Sequence, residues 1–80
     1  MGKERVNDPV MKAVRERFEA SKLTQQALGE KMGYPPTVAR QAVFQFLKSG
    51  DPQIGTLRRF ARAMGISLVT LIRQSEVQDG

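Results

Sequence analysis

Residues 23–50 read LTQQALGEKMGYPPTVARQAVFQFLKSG, and this stretch decides the fold. Thr24 can accept an amide hydrogen bond at the start of a helix. Leu28 and Met32 follow four residues apart, on one helical face. Gly33 stands where a helix ends in a left-handed residue, a conformation glycine adopts without steric cost. Tyr34-Pro35-Pro36 forces an extended connection, because a residue before proline avoids the helical region. The next helix starts at Pro36 or Thr37 and runs to about Ser49, with Gly50 as its stop. At about 100° per residue, Ala39, Val43, Phe46 and Leu47 make one apolar stripe. Thr37, Gln41, Gln45 and Lys48 line the opposite side, with Arg40 and Phe44 on the flank. Phe44, at the edge of the stripe, is expected to complete the core, the alternative being a group that contacts a base.

Working outward, Asp8 and Pro9 read as an N-cap and a first-turn proline. Val10, Val14 and Phe18 then recur at helical spacing beside Met11, which predicts a first helix over about 9–20. Asp51-Pro52 reads as a loop. Thr56 reads as the cap of a fourth helix, buried through Leu57, Phe60, Ala61 and Met64 and closed by Gly65. Ser67 opens a short fifth helix carrying Leu68, Leu71 and Ile72. No segment alternates apolar and polar residues for long enough to make a strand. The expectation is an all-α, compact bundle of five short helices. A single domain spans 9–73, with an N-terminal tail at 1–8 and a polar C-terminal tail, QSEVQDG, at 74–80.

With 80 residues the chain has room for one small domain. It contains no Cys and no His, which removes disulfides, Cys or His zinc sites, thiol nucleophiles and any His-based proton shuttle. Its carboxylates lack calcium-loop spacing, and no glycine-rich phosphate loop occurs. No catalytic residue, cofactor or metal is expected, and the chain does not read as an enzyme. Its apolar runs are far too short to span a bilayer. The N-terminal MGKERVNDPV has no apolar secretory segment, which makes the cytoplasm the default compartment.

The charge balance is more informative. Thirteen Lys and Arg stand against eight Asp and Glu, for a net +5. The first thirty residues hold six basic and five acidic side chains. From Lys31 to Arg73 there are seven basic residues and one acid, Asp51. Such an excess on a small body points to a polyanion, with nucleic acid first and an anionic membrane second. The Thr37-Gln41-Gln45-Lys48 face suits the former. Gln can bond adenine N6 and N7, Lys and Arg can bond guanine or phosphate, and Thr can offer its methyl to thymine.

LTQQALGEKMG at 23–33, a helix ending in FLKSG, and TLRRFARAMGISLVTLI at 56–72 together resemble the lambda-repressor-like helix-turn-helix family, of Xre or Cro type. The resemblance covers residues 10–72. It implies that the second and third helices form the helix-turn-helix and that the third lies in the DNA major groove. It places Gln25 at the polar position opening the second helix, where an amide donates to a DNA phosphate; the alternative is a merely solvated side chain. Aligning Gly33 and Gly50 with the family's two turn glycines leaves the segment between them several residues longer than usual. Either the turn, YPPTV, is enlarged or the recognition helix gains more than a turn at its N-terminal end. Counting back from Gly50 puts Arg40, Gln41 and Gln45 at groove-facing positions, while Phe46 falls where the family is usually polar. Lys48 and Ser49 lie in the loop that follows the phosphate backbone. Thr56 and the free amides after it could hold another phosphate, with Arg58 and Arg59 in support.

The expected function is sequence-specific binding of double-stranded DNA by a prokaryotic or phage transcriptional regulator. A homodimer reading two half-sites is the expected assembly. Val69 and Ile72 either pair two copies or finish the core. The alternative function is a protein-interaction module of antitoxin type, with a protein partner. RNA binding is disfavoured because exposed aromatics that would stack unpaired bases are not evident.

Overall fold

The computed structural model describes residues 8–50 and 53–79, with side chains through residue 76. Among these residues there are five helices and no strand: α1 (Pro9–Ser21), α2 (Gln25–Lys31), α3 (Pro36–Lys48), α4 (Ile54–Ala63) and α5 (Leu68–Asp79). The expected Asp51-Pro52 loop and residues 1–7 of the expected N-terminal tail lie outside the described residues.

The helix ends follow local chemistry. The Asp8 carboxylate accepts from the Val10 and Met11 amides at 2.8 and 3.4 Å, with Pro9 in the first turn. Thr24 Oγ1 accepts from the Ala27 amide at 3.0 Å. Gly33, at φ +101°, ends α2 with a pair of bonds: its own amide donates to Glu30 and the Tyr34 amide to Gly29. This is the double closure that a left-handed residue after a helix permits. Gly65 closes α4 in the same way, and Ser67 Oγ caps α5 by accepting from the Thr70 amide at 3.1 Å.

The core is the union of the five apolar stripes. Met11, Val14, Leu28, Val43, Phe60 and Leu71 are fully buried, and Phe46 packs on Phe60 with ring centroids 5.7 Å apart. Phe46 is therefore a core residue, although the family resemblance suggested a polar position. The closest approach is between α2 and α3. A Cβ placed on buried Gly29 would lie 2.3 Å from the Ala39 carbonyl oxygen and 2.7 Å from its Cβ, so only glycine lets these helices meet.

Four expectations are corrected. Phe44 does not complete the core; it is 47% exposed and lines an open depression with Gln25, Arg40 and Gln41. Val69, 61% exposed, does not finish the core either, while Ile72 is half-buried. Thr56 is not the cap of α4. The helix begins at Ile54 with Gln53 as its cap residue, and the first turn closes when the Leu57 amide donates to Gln53. Finally, the polar residues after Arg73 do not start a tail. They continue α5 to Asp79, held by Gln74, which accepts two hydrogen bonds from Arg17, and by Ser75, which is 3% exposed and donates to the Ile72 carbonyl. Polar composition concealed this, since Ser75 is buried and Gln74 half-buried here, with their hydrogen bonds made inside the protein.

Candidate nucleic-acid interface

The extra residues between Gly33 and Gly50 go into the helix. Only residues 32–35 separate α2 from α3, so the turn is short, and α3 is 13 residues long. Helix α3 is held by other elements along its length. At its start, the Gln26 amide nitrogen donates to the Pro36 carbonyl at 2.9 Å while also donating to Glu30 at 2.7 Å. In the middle, Ala39 lies against Gly29. At its end, Arg15 Nε on α1 donates to the Leu47 carbonyl at 3.0 Å, supplying a partner to a carbonyl of the last turn. Arg59 on α4 faces the turn itself, with its guanidinium 5.6 Å from the Tyr34 ring and 3.5 Å from the Met32 carbonyl. None of these four contacts was legible as a site feature in the sequence.

Burial of Ala39, Val43 and Phe46 turns the other side of α3 outward. Thr37, Arg40, Gln41, Phe44, Gln45 and Lys48 are all exposed there. Spaced three or four apart, they form a strip about as long as the helix. No acid occurs in the α3 sequence PTVARQAVFQFLK. The nearby carboxylate of Glu30 is engaged by Gln26.

Two open depressions collect the sequence-derived candidates. Gln25, at the start of α2, shares one with Arg40, Gln41 and Phe44. Gln45 and Ser49 share the other with Tyr34, Gln53 and Thr56, which bridges the end of α3 to the start of α4. Lys48 lies with its ammonium 5.1 Å from the Phe44 ring centroid, a cation–π distance. Thr37 stands at the opposite end of the strip, in the first turn of α3. Because α4 starts three residues earlier than expected, the outermost amides of its first turn belong to Ile54, Gly55 and Thr56 rather than to residues after Thr56. Arg58 goes elsewhere: it lines a separate hollow with Arg62, Ile66 and Leu68.

Such a face is chemically suited to a nucleic acid. Amide side chains that both donate and accept alternate with cations, on a helix narrow enough for a major groove. Weakening its support should weaken binding without unfolding the protein. Gln26→Ala is expected to reduce affinity for duplex DNA by about two- to tenfold, the range of one net hydrogen bond. Fluorescence anisotropy beside a thermal melt checks this; an unchanged affinity would show that the Gln26 bridge does not set the angle of α3.

No curated protein and no solved structure matches the chain. A family model described as helix-turn-helix matches residues 12–71, from the first turn of α1 into α5. The match spans α2, the short turn and α3 together with α4. The chain belongs to the lambda-repressor-like, or Xre-type, helix-turn-helix family of DNA-binding regulators.

Proposed function

We propose that this protein is a sequence-specific double-stranded-DNA-binding transcriptional regulator of prokaryotic or phage type, acting in the cytoplasm. One observation carries the reading: Gln25 from α2 and Arg40 and Gln41 from α3 converge on one open depression beside an acid-free helix. In this mechanism α3 enters the major groove. Gln41 and Gln45 face base edges, and Thr37 approaches them from the first turn. Arg40 and Lys48 supply positive charge on the flanks. Gln25, Ser49, Thr56 and the first amides of α4 contact the phosphates on either side of the groove.

Selection of bound sequences from random duplex DNA tests this directly. A recovered motif, with log affinity falling by about 0.9 per log salt for each phosphate neutralised, is the expected result. Failure to enrich any motif would end the regulator reading. Co-purification of a protein in place of DNA would favour the interaction module instead.

A homodimer follows from the same logic, because one recognition helix makes few base contacts and paired modules read two half-sites about one helical turn apart. The 61% exposure of Val69 supports α5 as the pairing surface. Val69→Asp is expected to leave the melting temperature of the monomer within about 4 °C, as surface substitutions generally do. It should nevertheless abolish paired binding to a two-half-site operator, read by sedimentation and gel shift. A variant that still pairs would place the dimer contact elsewhere.

A further inference from the structure

Phe44 is the least expected feature of the α3 face. An aromatic ring there is 47% exposed among Thr37, Arg40, Gln41, Gln45 and Lys48, with Val38, 45% exposed, the other apolar side chain turned outward from α3. It lines the same depression as Gln25, Arg40 and Gln41, and the Lys48 ammonium lies 5.1 Å from its ring centroid. The ring is thus flanked by groups that donate hydrogen bonds or carry positive charge. A partner covering this apolar spot must place an apolar group within a polyanionic, acceptor-rich surface. In a duplex major groove, one group meets that description: the C5-methyl of thymine, which lies beside acceptors that Gln and Arg can address and between two phosphate chains. An unpaired base suits the site less well, because the ring face under the Lys48 ammonium is not open to stacking.

We propose that Phe44 is a specificity-determining residue that packs on a thymine methyl group and so selects thymine at one position of the operator. The inference rests on the reading of α3 as the base-reading helix. The Lys48 ammonium, 5.1 Å from the ring centroid, holds the ring by a cation–π contact. Phe44 discriminates thymine from cytosine by shape and apolar contact with the methyl, in addition to the hydrogen-bond readout available to the neighbouring amides.

The test uses the operator recovered by selection. Each thymine is replaced in turn by deoxyuridine, which removes only the methyl, and binding is measured for the native protein, Phe44→Ala and Phe44→Leu. One thymine is expected whose replacement weakens native binding about three- to tenfold, has no effect on Phe44→Ala, and has an intermediate effect on Phe44→Leu. Circular dichroism shows whether each variant keeps its helices, and Phe44→Leu keeps the test open if Phe44→Ala folds poorly. A motif with no thymine whose methyl effect depends on Phe44 would overturn this inference and leave the DNA-binding reading intact. Absence of any motif would overturn both. Retention of a protein partner that is lost on Phe44→Ala would assign the ring to a protein surface instead.

Discussion

Replacing Gly29 with alanine is expected to destabilise the protein by about 1–3 kcal/mol, the usual range for forcing extra volume into a packed interior. The added Cβ would meet the Ala39 carbonyl carbon and oxygen at 2.6 and 2.3 Å, and those are backbone atoms that no rotamer change can move aside. Alanine's better helix propensity returns at most about 1 kcal/mol against this. For a domain of this size each kcal/mol shifts the melting temperature by about 4–8 °C. DNA affinity should fall further than the unfolded fraction explains, because relief of the clash tilts α3 away from α2. Gly55→Ala is the internal control. A Cβ there meets nothing within 4 Å, and its backbone is helical, so that change should stabilise by about 0.4–1 kcal/mol through the unfolded chain. Thermal unfolding followed by circular dichroism reads both. If Gly29→Ala melts no lower than the native protein, the two helices do not meet at Gly29.

Gly29 also illustrates what the sequence did not disclose. A glycine inside a helical run costs stability, yet the helical pattern of Leu28 and Met32 did not single out Gly29. Its close neighbour could not be read, since Ala39 lies ten residues on and across a turn. The helix ends were more legible: Asp8, Thr24, Gly33, Gly65 and Ser67 each act through bonds to amides or carbonyls within a few residues. The same local reasoning misplaced the start of α4, where Thr56 is as good a cap by type as Gln53 is poor, and the closing backbone bond decided otherwise. Phe44 fell on the boundary of its helical wheel. Whether a boundary residue is covered depends on where the neighbouring helices pass, which no spacing within α3 encodes. Gln74 and Ser75 were hidden for a related reason: their partners, Arg17 and the Ile72 carbonyl, make two polar side chains fit to hold a helix in place. For the site, the face of α3 was readable from period alone, whereas its juxtaposition with Gln25 and with Thr56 is a product of packing.

Because that face is a strip rather than a patch, its residues should divide by what they touch. Gln41 and Gln45 lie four residues apart, about 6 Å along the helix, and in different depressions, one with Gln25 and Arg40 and one with Ser49 and Thr56. Gln41→Ala and Gln45→Ala are therefore expected to relax base preference at two different operator positions. Each should lose about 1–3 kcal/mol of discrimination, or roughly 5- to 150-fold, with binding to unrelated DNA nearly unchanged. Arg40→Ala and Lys48→Ala should behave in the opposite manner. Affinity for every sequence would fall together, and each substitution would flatten the salt dependence by about 0.9 in the log–log slope as one phosphate contact is lost. Selected motifs and salt titrations for the four variants separate the two patterns. If Gln41→Ala weakened all sequences equally while Arg40→Ala erased preference at one base pair, the helix would lie rotated in the groove. Arg40 would then be reading a guanine and Gln41 a phosphate. If neither glutamine altered any position, α3 would not be the reading element at all, and the acid-free face would be only an electrostatic guide to the duplex.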